Sequence, residues 1–554
     1  MSEMSTGRYL AETLKGLGVT HVFHVPHVFA SAHKELSKLG ITRVLTHHEI
    51  AAAYMADGYA RAAHRPGICF AQQVGAANMA AGLRDAYLAC SAVIAITGGP
   101  HPDSRYQYMY QSTEDFGAYA GVTKFNAVVG KPGRFSDLLR QAVREAVTGT
   151  PGPCHLELPG RLGEGAEGKI DSELIVEEQF GCVPPYRPDP GSAPVAAALR
   201  VLEEAERPVI VAGGGVNTSM AGPEIVRLAE KLNIPVVTSA TGKGAIPEDH
   251  PLALGVVGSY GRPAVNEIVR EADLVFFIAC RAGDLTTDHY KTPRKGTPAI
   301  QLDINPAEIG RIYPLKAGLV GDAKVTVARL IETAEPSQGR RSAWSESTRK
   351  RIAAWRAGIE PLAHSDAVPI RPERLCREIT DLLPDNAVLV ADTGYSSIWT
   401  ATMVELHNPT QRYIRCMGTL GWSLPGSLGV KCALPERPVL CFTGDGGIYY
   451  HLAELETAAR AGINAVIIVN NNSSLAQEKA LIDMLGETGA LGTATEVYAF
   501  RPVNFARVAQ ELGCIGIRVE KPNEIRPALE KALAAERPVV VDVVTEIDAM
   551  PAWS

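Results

Sequence analysis

Short runs of four to seven apolar residues recur along the chain and alternate with stretches of helical periodicity. In the first third, "GICFAQ" (67–72) and "AVIAITG" (92–98) flank a helical pattern from about Asn78 to Ala89. The middle third carries "RPVIVAGGG", a helical pattern from about Gly222 to Leu232, "IPVVTSA", "DLVFFIA" and "PAIQLDI". The last third carries "AVLVAD", "PVLCFTG", "AVIIVN" and "PVVVDVV". Continuous rather than alternating apolar runs belong to strands buried on both faces, which means parallel strands covered by helices. The pattern predicts an α/β protein of three parallel-sheet α/β domains. The first and third parts share a strand–turn–helix–strand rhythm and read as structural cousins.

Two segments interrupt that rhythm. "CVPPYRPDPGS" (182–192) is rich in proline and polar residues, and Glu335 to Gly358 begins as a polar loop and becomes a charged helix. Read as linkers, they divide the chain near 1–180, 190–335 and 365–554. A length of 554 residues fits three cores, and 46% hydrophobic with 21% charged residues fits a globular protein. No apolar window is long enough for a membrane span. The start reads as a polar cap and an amphipathic helix rather than a secretory signal. A net charge of −7 leaves no nucleic-acid footprint. Ten cysteines without a C-x-x-C pair argue against metal clusters and disulfides. They read as small buried hydrophobes in a reducing cytoplasm.

The chemistry concentrates in "TGDGGIYYHLAELETAARAGINAVIIVNNN" (443–472). The strand "PVLCFTG" should end at Gly444. A helix over about Ala453 to Ala461 places Leu452, Leu455, Ala458 and Ala459 on one face, and Gly462 closes it. "INAVIIVN" then returns as the neighbouring parallel strand. Both strands end at one sheet edge, so Asp445 and Asn472 become neighbours there, where open α/β sheets bind ligands. Carboxylate, amide and carbonyl oxygens suit Mg²⁺, and Gly446 and Gly447 let backbone N–H groups approach phosphate oxygens. The stretch reads as a divalent-metal diphosphate clamp. In the first domain, Glu49 precedes a helix whose Ala51, Tyr54, Met55 and Tyr59 can face a core. A carboxylate in such company should have its pKa raised by desolvation.

Gly-Asp-Gly followed by this Asn pair resembles the signature of thiamine diphosphate enzymes. The whole chain resembles their acetolactate synthase-like, or pyruvate oxidase/decarboxylase, branch. The resemblance implies that Asp445, the side chain of Asn472 and the backbone oxygen of Ser474 hold Mg²⁺. It implies that Glu49, in "HEIAAAYMADGYARA", bonds N1′ of the cofactor and so promotes the C2 ylide. It implies that Gly418 and Leu420, in "RCMGTLGWSLPGSLG", contact the aminopyrimidine and hold the cofactor bent. Gly394 and Tyr395, in "ADTGYSS", would offer backbone contacts on the diphosphate side. It further implies a homo-oligomer, dimer or tetramer, with Glu49 from one subunit and the clamp from another.

The substrate side departs from the family pattern. His24 and His27 replace glycines of a Phe-Gly-x-Pro-Gly loop, and His27 is a candidate acid/base. Gln72, Gln73 and Val74 stand where synthases read Ser-Gly-Pro, and the amides are candidates for a substrate carbonyl or carboxylate. Gln111 matches the glutamine of the Phe-Gln loop. Glu478, six residues past Asn472, stands where pyruvate decarboxylases carry a catalytic glutamate, and the synthase tryptophan is missing from "SSLAQEKALIDM".

The resemblance implies a 2-oxo acid as substrate, decarboxylated or ligated through an enamine. The alternative is a 2-hydroxyacyl-CoA lyase acting on an acyl-CoA, favoured by "GKGAIP" with Lys243 and by Glu478. Against it, the tail "TEIDAMPAWS" leaves little to cover CoA. A non-catalytic binding subunit is the minor alternative. The central domain of this family binds FAD, ADP or nothing, and Gly213 to Gly215 do not decide among them.

Overall fold

The computed structural model describes residues 3–114, 116–171, 173–486 and 495–551. The last three residues of the tail read against a CoA lid lie outside the described residues. Three six-stranded sheets follow one another along the chain, and every pairing within them is parallel. The strands Gly67–Ala71, Val93–Gly99 and Pro208–Ala212 are buried at every position, which is why their sequences do not alternate.

With strands numbered in chain order within each sheet, the first sheet (His21–Val25 to Cys154–Pro159) runs 2-1-3-4-6-5. The third (Val388–Ala391 to Val539–Val544) runs in the same order. The expected kinship of the first and third parts is therefore one of topology. The central sheet (Pro208–Ala212 to Leu315–Val320) runs 3-2-1-4-5-6, the doubly wound order of dinucleotide-binding folds.

Local signals end the elements where expected. Ser5 caps the helix Thr6–Gly16 by accepting the Arg8 amide. Gly462 closes Glu454–Ala461 in the left-handed conformation. The helix Gly222–Leu232 has the predicted bounds. The helix expected from Asn78 spans Ala76–Leu88, because the turn Gln73–Gly75 runs straight into it.

Two of the inter-domain contacts are closely packed or deeply buried. The helices Glu49–Ala63 and Ser423–Ala433 each follow the second strand of their sheet, and they pack on one another. Their backbones approach so closely that a Cβ on Gly58 would lie 2.0 Å from the Gly426 oxygen, and one on Gly429 would lie 1.9 Å from the Met55 oxygen. Between the central and third domains, Lys243, Glu248 and Arg262 are buried. Lys243 pairs with Glu248 and donates to the Ala401 carbonyl, while Arg262 donates to the Thr402 carbonyl and to Glu405, both at 3.0 Å. Lys243 thus closes an internal ion pair. All ten cysteines are free, eight of them buried. Among the described residues no helix is long and apolar enough to cross a membrane.

Candidate functional site

Strand Val439–Gly444 lies beside Val466–Asn471 with Gly444 opposite Asn470, so both chains leave the sheet at one edge. Asp445 begins the short helix Asp445–Tyr449 and is buried. Its carboxylate accepts the Gly446 amide at 2.9 Å and, across the strand ends, the Ser474 amide at 2.9 Å. The Ser474 hydroxyl donates to Asn472 Oδ1 at 2.9 Å. Asn470 Oδ1 is buried without a partner. Burial pushes Asp445 up to about 7, against the pull of its backbone donors. A buried carboxylate with only neutral donors, beside an orphaned amide oxygen, is a hard-oxygen set that fits a divalent cation.

Gly394 caps the helix Tyr395–Thr402 with φ 63° and ψ −144°, a conformation reserved for glycine. Gln477 faces it, with Oε1 3.0 Å from where a Cβ would stand. Glu478, the next residue, is exposed in the first turn of Ala476–Gly486. Gly418 has φ 142°, is exposed, and has nothing within 4 Å of a notional Cβ, so its backbone is open to a planar ligand. Leu420 is half-buried and Tyr395 is buried.

At the corresponding edge of the first sheet, Glu49 is the first residue of its helix rather than a residue ahead of it. His48 is the cap, accepting the Ile50 amide at 3.1 Å. The Glu49 side chain is 15% exposed, accepts Asn78 Nδ2 at 3.1 Å, and packs on Gly75. Ala51, Tyr54, Met55 and Tyr59 are buried behind it, as their spacing predicts. Gln111 holds φ 65° and its Oε1 is buried without a partner. His27 is exposed; its ring lies 6.4 Å from His33, which lies 4.7 Å from His24. Burial lowers His24 to about 4 and His33 to about 3, so both are neutral at pH 7. Gln73, read as a substrate amide, is instead buried, and its Nε2 donates to Ser112 Oγ and the Thr113 carbonyl, both at 3.3 Å. It props the Gln111 loop.

The clamp residues therefore come together on the third domain, while Glu49, Gln111 and His27 all lie on the first. The two domains touch near these edges through His48 and His451, whose rings lie 6.2 Å apart, and through the His47 amide on Glu454 at 2.9 Å. Sequence reasoning missed Asn78, Asn470 and the buried Asp392. Asp392 accepts the amides of Thr393, Gly421 and Ser423 at 2.8, 3.0 and 3.2 Å. It ties the Gly394 turn to the Gly418 loop, and its one signal was an acid ending the apolar run "AVLVAD".

Residues 4–118, 195–330 and 392–543 match, in turn, the N-terminal TPP binding, central and C-terminal TPP binding domain models of thiamine pyrophosphate enzymes. The chain is 32% identical over 562 residues to a probable acetolactate synthase large subunit of Methanocaldococcus jannaschii, covering 99% of this chain and 93% of that one. It is 32% identical over 521 residues to a probable acetolactate synthase large subunit of Methanococcus aeolicus, covering 91% and 85%. It is 30% identical over 562 residues to the acetolactate synthase large subunit of Corynebacterium glutamicum, covering 99% and 87%.

Proposed function

Because the chain belongs to the thiamine pyrophosphate enzymes, in their acetolactate synthase-like branch, we propose that it is a Mg²⁺-dependent carboligase or decarboxylase of a small 2-oxo acid. The observation that carries the reading is the oxygen set at the third sheet's edge: buried Asp445 bonded to the Ser474 amide, with Asn472 beside it. Asp445, the Asn472 side chain and the Ser474 backbone oxygen would hold the metal. Gly394, Tyr395, Gly446 and Gly447 would surround the diphosphate. Thiamine diphosphate, when bound, supplies the nucleophilic carbon and the electron sink for making or breaking a bond beside a carbonyl.

The chain's own groups do the rest. Glu49, steadied by Asn78, holds a proton at the pyrimidine N1′. The Gly418 carbonyl and Leu420 orient the ring. Gln111 offers its unpaired amide oxygen, and His27 and Glu478 are exposed acids or bases able to move a proton at the substrate. Large apolar side chains stay exposed around both edges, among them Val74, Tyr108, Tyr110 and Tyr450. They support a homo-oligomer, dimer or tetramer, that covers these edges and joins Glu49 of one copy to the clamp of another. The 3-2-1-4-5-6 order of the central domain supports FAD or ADP there. Ten unpaired thiols support a cytoplasmic site.

The names of the relatives favour a 2-oxo acid over a 2-hydroxyacyl-CoA thioester. The test is CO₂ release from pyruvate and other 2-oxo acids, with Mg²⁺ and thiamine diphosphate present and then withheld. Turnover that needs both supports the reading. Cleavage of 2-hydroxyacyl-CoA thioesters with no action on 2-oxo acids overturns it.

A further inference from the structure

The loop Met417–Ser423 hands alternate amides to two fully buried carboxylates from two domains. Asp392, of the third domain, accepts those of Gly421 and Ser423. Asp85, on helix Ala76–Leu88 of the first domain, accepts those of Met417 at 2.9 Å and Thr419 at 3.3 Å. Gly418 and Leu420 are the residues between the braced amides. Asp85 is compensated by Arg61, 3.0 Å away, which also grips Asp57, donates to the Arg415 carbonyl at 2.6 Å and lies 4.7 Å over the Trp422 ring. Asp57 in turn accepts Trp422 Nε1 at 2.9 Å. The first domain thus fixes the loop beside Gly418 and at both flanks, Arg415 and Trp422. Asp57 and Arg61 sit on the helix that begins at Glu49.

Charge-assisted bonds of this kind are stronger than neutral ones, and a buried amide left unpaired costs more than the bond is worth. We propose that Asp85, compensated by Arg61, is a positioning residue that sets the Gly418 backbone and Leu420 against the ring of the cofactor. This rests on the functional reading above, which puts Gly418 and Leu420 at the ring. It adds that, within one chain, the helix presenting Glu49 to one active centre and the loop facing the ring of another are held by one ion cluster. Asp85 itself touches neither cofactor nor substrate. Its effect is confined to the ring side and leaves the Asp445–Asn472 clamp alone.

Two probes separate those sides. Inorganic pyrophosphate with Mg²⁺ reads the clamp, and thiamine diphosphate with Mg²⁺ reads clamp and ring together. In the full chain, Asp85→Asn keeps the size and removes the charge. It should weaken thiamine diphosphate about tenfold, leave pyrophosphate within about twofold, and shift the near-ultraviolet circular dichroism of the bound pyrimidine. Equal losses on both probes, or none, overturn the inference. Should that variant not fold, Asp85→Glu keeps the charge but displaces the carboxylate from the Met417 and Thr419 amides. It should weaken thiamine diphosphate about two- to threefold with pyrophosphate unchanged; parallel changes, or none, overturn the inference. Wild-type protein that binds pyrophosphate but no thiamine diphosphate overturns the functional reading and this inference with it.

Discussion

The first and third domains share one strand order and differ in what they place at its edge. After the first strand come Pro26 and His27 in one and Asp392 to Gly394 in the other. After the second come Thr46 to Glu49 in one and Cys416 to Leu420 in the other. After the third come Gln72 to Gly75 in one and Asp445 to Gly447 in the other. The helices after the second strands are the pair that cross at Gly58 and Gly429. The third domain's edge carries buried oxygens and glycine backbone, suited to a metal and a diphosphate. The first domain's edge carries one half-buried acid, neutral histidines and an amide prop, suited to a ring and a small substrate. The fold fixes where side chains can converge, and a few turn residues decide which chemistry converges there.

The contrast breaks most sharply at the third-strand turn. Asp445→Ala should weaken Mg²⁺-dependent thiamine diphosphate binding at least about 100-fold and remove turnover, read by titration and by CO₂ release. Glu49→Gln should lower kcat about 100-fold or more while the cofactor Kd stays within about threefold, because it changes a proton site and not the clamp. Gly429→Val should destabilise by about 2–3 kcal/mol, read as the denaturant midpoint, since the Met55 carbonyl occupies the Cβ position.

A pH comparison is subtler. In the metal-free protein Asp445 titrates near 7 against a reference of 3.8, so the native state binds the extra proton between those values. Stability from this group is full below about pH 4 and is lost as pH rises to about 7. Metal-free Asp445→Asn should therefore be more stable than wild type at pH 7.5, by at most about 4 kcal/mol, and equal to it near pH 4. Thermal melts at both pH values check this; the opposite ordering would contradict it. The smallest effect belongs to the equivalent turn of the first domain. Gln73→Ala should cost about tenfold or less in kcat/KM, because its amide only props Ser112 and Thr113.

Much of this was legible along the chain. Strands buried on both faces write themselves as unbroken apolar runs, and a βαβ unit makes neighbours of Asp445 and Asn472 whatever surrounds them. Strand order was not legible, because periodicity reports burial and not adjacency. Asp85 and Asp392 were not legible as braces, since a buried acid declares itself only through partners hundreds of residues away, as Asp85 does with Met417. Gln73 looked like a ligand group for the same reason: its amide is consumed by Ser112 and Thr113, which the local sequence does not reveal.

The claim that the two edges are halves of one active centre, joined between copies, is tested most directly by mixing Glu49→Gln and Asp445→Asn subunits. Each parent should be nearly inactive. After subunit exchange, a hybrid dimer holds one site with both wild-type groups, so CO₂ release from the preferred 2-oxo acid should return to about a quarter of the wild-type rate. Mixtures that remain as inactive as their parents, despite proven exchange, would contradict it.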